Sequence, residues 1–290
     1  MTANERKCYL CGNNNIVKIH TGTRGNKDID ILRCQKCGLV FLSDFPKNVN
    51  ELYENSRMRK NQEKDIRRIR IEADPDDSRR FLMTKDKIAN KVVLDFGCGA
   101  GGYLEKALSF AQGVYGIELE KCMKDYLCNK GIPCFASLDE AEKELEGNVD
   151  IITMWHVIEH LEDPIDLLKK LKGFLKPNGR IIIETPNAED ALLSQYKSEA
   201  FADFTYWECH LYLFSNSTIR TVIEDAGLKL IAQKQIQRYP LSNHLYWLTN
   251  GKPGGHKEWA FMNDENINSA YEKVLGMMGR ADTIIAECGR

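Results

Sequence analysis

From Lys91 onward, short apolar runs alternate with stretches of helical period, which predicts a parallel sheet wrapped by helices. Strands are expected at Val92 to Phe96, Val114 to Glu118, Pro133 to Ala136, Asp150 to Met154, Arg180 to Glu184 and Leu228 to Gln235. The clearest helix carries Ile158, Leu161, Ile165, Leu168, Leu171 and Leu175 at three- and four-residue spacing, with Pro177, Asn178 and Gly179 as its stop. A further helix is expected from Ser217 to Ala226, closed by Gly227, and a last amphipathic helix from about Asn266. Between them, Pro186 to Phe214 breaks the alternation with aromatic-rich sequence. Beyond a strand's carboxyl end, such a break is where doubly wound folds carry substrate-binding loops.

Upstream of Lys91 the pattern changes. Pro46 to Asn90 is dense in charge, with Ile66, Ile69 and Leu82 as a thin apolar helical stripe, which predicts a helical connector able to cover a site mouth. Nearer the N-terminus, Cys8-Tyr9-Leu10-Cys11-Gly12 and Cys34-Gln35-Lys36-Cys37-Gly38 flank a polar stretch and read as two knuckles joined by a β-hairpin. The expected organisation is a small unit over residues 1–44, a connector or lid over 45–90 and an α/β domain over 91–235 with an insertion near 186–214. Residues 236–290 form a substrate-binding, helical extension.

A chain of 290 residues with 43% apolar content can bury one sizeable core plus an accessory module. Its formal charge of -2 gives no overall footprint for neutralising phosphates, so no nucleic-acid partner is expected. Residues 1–90 carry 19 basic and 13 acidic groups, which leaves a modestly basic first third. No signal-peptide core and no stretch of about 18 apolar residues is present, which predicts a cytoplasmic protein with no membrane partner; the oligomeric state stays open. In a reducing compartment, ten cysteines read as metal ligands and buried thiols. Cys8, Cys11, Cys34 and Cys37 are the expected ligands of one structural zinc, because four thiolates complete a tetrahedral shell with no open position. Cys98, Cys122, Cys128, Cys134 and Cys209 read as small apolar fillers.

The run Val92-Val93-Leu94-Asp95-Phe96-Gly97-Cys98-Gly99-Ala100-Gly101-Gly102 delivers a carboxylate and then glycines, which let a ligand approach the backbone. Gly97, Gly99 and Gly102, with Glu118 downstream, also satisfy a dinucleotide fingerprint. Asp95 opposes that reading, because an anion aimed into the loop would repel a pyrophosphate and suits a cationic ligand.

This region resembles class I S-adenosylmethionine-dependent methyltransferases. Asp95 to Gly101 looks like their first motif, Gly116-Ile117-Glu118 like their second, and Trp155 to Pro164 like the segment after their fourth strand. Leu175 to Gly179 followed by Ile181 to Asn187 is similar to their fifth-strand signature. The resemblance implies a Rossmann-like sheet with helices on both faces, preceded by a zinc ribbon, and S-adenosylmethionine as cofactor. Gly97, Gly99 and Gly101 would line the cofactor, Asp95 would contact its amino acid portion, and Glu118 would hold the ribose hydroxyls. Leu119 would pack on the adenine, while Ser137 and Leu138 are candidates for the adenine edge or an ordinary helix N-cap and its neighbour. Trp155 and His156 would lie near the transferable methyl, and Glu159 and His160 would sit on a helix's first turn with either a functional or a structural role.

A ribbon before such a domain is similar to the architecture of methyltransferases acting on nucleotide-linked sugars or glycans, and the tail from Gln237 to His256 resembles those of polysaccharide biosynthesis. A small-molecule sugar or nucleotide-sugar is therefore the expected substrate, with Trp207, Glu208, Arg238, Tyr239, Asn243 and His244 as its candidate contacts. Tyr246 and Trp247 read equally well as core residues. Sugar C-methyltransferases with this ribbon place a tyrosine three residues before a histidine. Here Trp207 stands in the tyrosine's place and His210 fits, so transfer to oxygen is expected over transfer to carbon or nitrogen. An imidazole is well matched to take a hydroxyl proton near neutral pH, so His210 is the first candidate base, followed by His156 and His244. No carboxylate cluster stands near these motifs in sequence, so no catalytic magnesium is expected. The rivals are an RNA methyltransferase, with Arg67, Arg68, Arg70, Arg79 and Arg80 as a phosphate track, and a non-enzymatic cofactor-binding assembly module.

Overall fold

The computed structural model describes residues 6–46 and 66–290, so expectations for 47–65 fall outside the described residues. The chain opens with β1 (Ile16–His20), β2 (Ile31–Cys34) and β3 (Val40–Leu42), followed by the helix α1 (Ile66–Ile88). The alternating part contains β4 (Val92–Phe96), α2 (Gly102–Ala107), β5 (Gly113–Ile117), α3 (Lys121–Asn129), β6 (Cys134–Phe135), α4 (Leu138–Leu145) and β7 (Val149–Trp155). It continues through a 3₁₀ turn at Ile158–His160, α5 (Pro164–Phe174), β8 (Leu175–Pro186), α6 (Ala191–Ser194), α7 (Glu199–Thr205) and β9 (Tyr212–Leu213). The last elements are α8 (Asn216–Asp225), β10 (Lys229–Ile236), α9 (Leu241–Asn250), α10 (Gly255–Glu258), α11 (Glu265–Met278) and β11 (Thr283–Gly289).

Seven strands form one sheet in the order β10-β11-β8-β7-β4-β5-β6. The expected all-parallel sheet is corrected to a mixed one, because β11 runs antiparallel to both β10 and β8. The segment Thr283 to Gly289, expected within a helical extension, is this strand, with a predominantly buried Ile-Ile-Ala stretch filling the gap between its neighbours. After β4 the chain builds outward through β5 and β6 and then returns to β7 on the other side. That reversal opens a crevice beyond the carboxyl ends of β4 and β7, the usual ligand position in an open α/β sheet.

Other boundaries also move. The expected long helix from Ile158 begins only at Pro164, where Asp163 accepts a hydrogen bond from Asp166 N–H and proline occupies the first turn. Glu159 and His160 consequently sit on a separate 3₁₀ turn. Pro177, Asn178 and Gly179 lie at the irregular start of β8, which pairs with β7 already at Leu175.

The N-terminal hairpin is not a separate body. β3 pairs with β9, making a second sheet of order β1-β2-β3-β9 that includes part of the aromatic insertion. Ile31, Leu32, Leu39 and Leu42 of this unit share a buried cluster with Leu94, Ile152 and Met154 of the central sheet. One continuous core therefore joins the two sheets.

α1 departs from its sequence pattern as well. Leu82 is 62% exposed, and the inward face carries Asp77, Arg79 and Arg80 beside the apolar Phe81, Met83 and Ile88. No helix among the described residues is long and apolar enough to cross a membrane.

Candidate active site and cysteine cluster

Beyond β4, Gly97, Gly99 and Gly101 have φ of 75°, 53° and 68°, a region glycine enters without strain. Their surroundings differ. A Cβ on Gly97 would lie 2.6 Å from Val157, and one on Gly101 would strike Leu127, whereas Gly99 meets nothing within 4 Å. Gly99 thus presents the open face of the loop, and its two neighbours serve close packing. Glu118 ties the loop down: Oε2 accepts from Gly99 N–H and Oε1 from Glu120 N–H, each at 2.8 Å. Burial pushes this carboxyl up, against the pull of those backbone donors.

Asp95, expected to point into the loop, is held near the end of its strand. It is 1% exposed and accepts a hydrogen bond from Thr153 Oγ1 at 2.6 Å, because the β4–β7 register sets the two residues side by side. Burial raises its carboxyl to about 8. Leu119 is exposed at the crevice mouth, while Ser137 caps α4 by accepting from Glu140 N–H and Leu138 packs against the core. Trp155 is buried edge-on to Tyr103, with the Arg80 guanidinium over its face and no hydrogen-bond partner for Nε1.

At the carboxyl end of β8, Glu184 is fully buried. Arg79 donates to both its oxygens at 2.9 Å, and Arg80 donates to Oε1 at 2.7 Å. The group stays well below the usual carboxylate range, since His156, Arg80 and Arg79 outweigh its burial. His156 follows β7 at φ 55°, with Nδ1 at 3.2 Å from Glu159 and Nε2 at 3.0 Å from Arg238 Nη1. Burial lowers His156, but Glu159 and Glu184 prevail over it and over Arg238, so its net shift is upward. Arg238 also donates to Asp76 from Nε at 3.1 Å, closing a link from the tail to α1. Asp76, Arg79, Arg80 and Glu184 were not expected here. Their one sequence signal is Glu184 itself, a charge ending the apolar run Ile181-Ile182-Ile183.

Beside this network lies a cavity of about 430 Å³ between the 3₁₀ turn, the insertion and the tail. The fold brings together on its wall the candidate residues Trp207, His210, Arg238, Tyr239, Asn243, His244 and His156. Glu208 is elsewhere, packed against Gly25 of the N-terminal hairpin. Phe201, Phe204 and Trp247 complete an aromatic side. His244 has Nδ1 at 2.8 Å from Tyr271 Oη and Nε2 at 3.0 Å from Gln237, and burial lowers it to about 4. His210 differs: Nδ1 is buried without a hydrogen-bond partner, and burial takes the ring down to about 3. The histidine base expected near its ordinary pKa is therefore corrected to a neutral imidazole throughout the physiological range.

The four cysteines expected as metal ligands converge, with their sulfurs all within 4.8 Å of one another. Cys8 and Cys37 are 3.4 Å apart and Cys11 and Cys34 3.5 Å, close to the edge of a tetrahedron with metal–sulfur bonds of about 2.3 Å. Each knuckle turns back at a glycine, Gly12 at φ 64° and Gly38 at φ 81°, whose N–H donates to the carbonyl of Cys8 or Cys34. The donor set fits a zinc ion.

The glycine turn lies at the switch point with Glu118 tied to it, and the cavity lies by the His156 and Arg238 network. The family model described as a methyltransferase domain matches residues 58–233, more than half the chain. The chain belongs to this methyltransferase domain family. It is an S-adenosylmethionine-dependent methyltransferase. The ubiquinone biosynthesis O-methyltransferase of Acinetobacter baylyi is 28% identical over 177 residues, 56% of this chain and 72% of that one. The protein of the same name from Chromobacterium violaceum is 30% identical, over 52% of this methyltransferase and 69% of its own length. The fold is similar to that of an S-adenosylmethionine-dependent methyltransferase from Archaeoglobus fulgidus, at TM-score 0.50 and 18% identity, over 78% of this chain and 94% of the other. A Haloferax volcanii methyltransferase, solved with the Trm112 methyltransferase activator, is similar at TM-score 0.50 and 14% identity, over 79% and 99%.

Proposed function

We propose that this methyltransferase acts on a hydroxyl oxygen of a polyhydroxylated ring, a sugar or nucleotide-linked sugar, held in the cavity beside His156. The observation that carries the reading is the composition of that cavity: the aromatic side chains of Phe204, Trp207 and Trp247 line it together with the polar side chains of Asn187, Asp190, Asn243 and Asp282. Such a lining offers faces on which a ring stacks and polar groups that meet its hydroxyls. When bound, S-adenosylmethionine supplies a methyl on a sulfonium; the acceptor oxygen's lone pair takes the methyl carbon, and the carbon–sulfur electron pair stays with sulfur.

The chain's own residues would do the rest. Gly99 gives the cofactor a close backbone approach while Gly97 and Gly101 keep the turn tight, and Glu118 exchanges its bonds to Gly99 and Glu120 for the ribose hydroxyls. Trp155 Nε1 offers a donor without a present partner at the methionine end. His210, neutral and with Nδ1 unsatisfied, faces the acceptor, while His156 and His244 already have both ring nitrogens engaged. The ribbon would be structural, holding one zinc on Cys8, Cys11, Cys34 and Cys37. Arg70 pairs with Glu105, and Arg79 and Arg80 pair with Glu184, so these arginines are committed to internal carboxylates, which favours a small acceptor over RNA.

A second reading, a phenolic ring as acceptor, is favoured by the O-methyltransferase names of the relatives and by the same aromatic wall. Labelled S-adenosylmethionine offered with nucleotide-sugars, catechols, amines and RNA separates these classes. Label in a sugar methyl ether supports the first reading and label in a phenol ether the second. Label confined to an amine or RNA rejects transfer to a small hydroxyl acceptor.

A further inference from the structure

We propose that Glu159, His160 and His210 form a site for one divalent first-row metal ion in the acceptor cavity, aimed at the hydroxyl to be methylated. Its chemical role rests on the reading of that cavity as an acceptor site; the binding of the metal does not.

The cluster is a product of folding. Glu159 and His160 share the 3₁₀ turn after β7, while His210 comes from the loop before β9. One ligand atom from each lies within 4.8 Å of the others. Ligands about 2.1 Å from a shared centre stand roughly 3–4 Å apart, so small rotamer adjustments close the set.

Each member is held as a ligand would be. His160 Nδ1 donates to the Cys209 carbonyl at 2.6 Å, which fixes the ring with Nε2 turned toward Glu159 Oε1 at 4.0 Å. A backbone carbonyl behind an imidazole is the usual outer support of a metal-bound histidine. Glu159 Oε2 accepts from Thr185 Oγ1 at 3.0 Å, a matching support for the carboxylate. His210 packs edge-on against Trp207 and 4.9 Å from the His160 ring, and its buried Nδ1 lacks a hydrogen-bond partner. An unsatisfied buried nitrogen is costly unless something binds it.

Charge points the same way. Glu159 and Glu184 are both fully buried, yet Glu184 has two arginines while the ion-pair partners of Glu159 among the described residues are His156 and His160. A dication would offset the buried carboxylate and give the buried His210 Nδ1 a partner. Two imidazoles and one carboxylate suit manganese, iron, cobalt or zinc and leave coordination positions open to the cavity. Two adjacent oxygens of an acceptor could fill them, so a vicinal diol is the favoured substrate class. A metal-bound hydroxyl ionises more readily. Its proton passes to water, its oxygen pair bonds the methyl carbon, and the carbon–sulfur pair leaves with sulfur. This replaces the expectation of catalysis without a catalytic metal, which rested on linear spacing.

The test is a titration of the full-length protein, ribbon zinc in place, with manganese, following the electron paramagnetic resonance signal of the free ion. Manganese is a hard cation and a poor partner for thiolates, so the ribbon does not compete. Uptake of one equivalent is expected, with affinity at least about tenfold lower in Glu159→Gln and in His210→Ala, given that even supporting residues of metal sites cost that much. If the wild type leaves all the manganese free, or if both folded variants bind as tightly as it does, the site does not exist. The wild-type titration decides even if a variant misfolds. Manganese uptake without methylation of any diol would overturn the hydroxyl-acceptor reading and leave the site standing. Methylation of a diol with no uptake would do the reverse.

Discussion

The Glu118 carboxylate accepts from Gly99 N–H and Glu120 N–H, and the proposed function gives the same oxygens the ribose hydroxyls. Glu118→Ala should weaken S-adenosylhomocysteine binding by more than about 1.5 kcal/mol, as charge-assisted hydrogen bonds are lost. Unchanged affinity by calorimetry would reject the ribose assignment. Asp190 gives a pH dependence. Burial, with Asp282's like charge, pushes its carboxyl up from 3.8 to about 8. The folded value is the higher one, so its contribution is fully present below about pH 4 and is lost as pH rises through about 8. Asp190→Asn can still accept the hydrogen bond from Leu192 N–H but cannot titrate. The melting temperature of the wild type should therefore fall between about pH 6 and 9 more steeply than that of the variant; equal slopes would show that Asp190 is not responsible.

At the scale of elements, α1 is held by charge. Its Arg79 and Arg80 satisfy the buried Glu184, and its Asp76 meets Arg238 from the far end of the chain. Removing one partner of a buried pair commonly costs about 3–5 kcal/mol. Arg80→Ala should cost less, about 2 kcal/mol, because Arg79 still faces Glu184. Its backbone amides from 66 to 88 should also exchange faster with solvent than those of β7, measured in the same protein. Uniform exchange across both elements would mean that the ion pairs do not anchor the helix. Hydrophobic periodicity could not reveal this contact, since charged side chains dock beside Phe81, Met83 and Ile88 while Leu82 and Ile71 look outward. Periodicity did find α8, and the start of α11, to within one residue, because each begins at a side-chain N-cap.

Across the whole molecule, residues of the cysteine unit and of the central sheet share one buried cluster. Arg24 of the N-terminal hairpin lies 4.6 Å from the Phe204 ring and 5.0 Å from Trp207, so the hairpin packs against the aromatic side of the cavity. Metal analysis should find one zinc per chain on the four cysteines. Cys34→Ser should lose it and shift a single thermal transition downward, since residues of both units share one core. A separate early transition, with the main one unmoved, would restore the independent module expected from the sequence. The sequence by itself determined the strands that read as apolar runs, the glycine turn after β4, the acid after β5 and the paired cysteines, because each rests on local stereochemistry or spacing. Only the tertiary structure decided the rest. The β4–β7 register turned Asp95 onto Thr153, and β11 entered the sheet because its neighbours left a buried slot. Glu159, His160 and His210 met where the loop before β9 docks on the 3₁₀ turn, with His160 donating to the Cys209 carbonyl, a long-range contact that no pattern along the chain records.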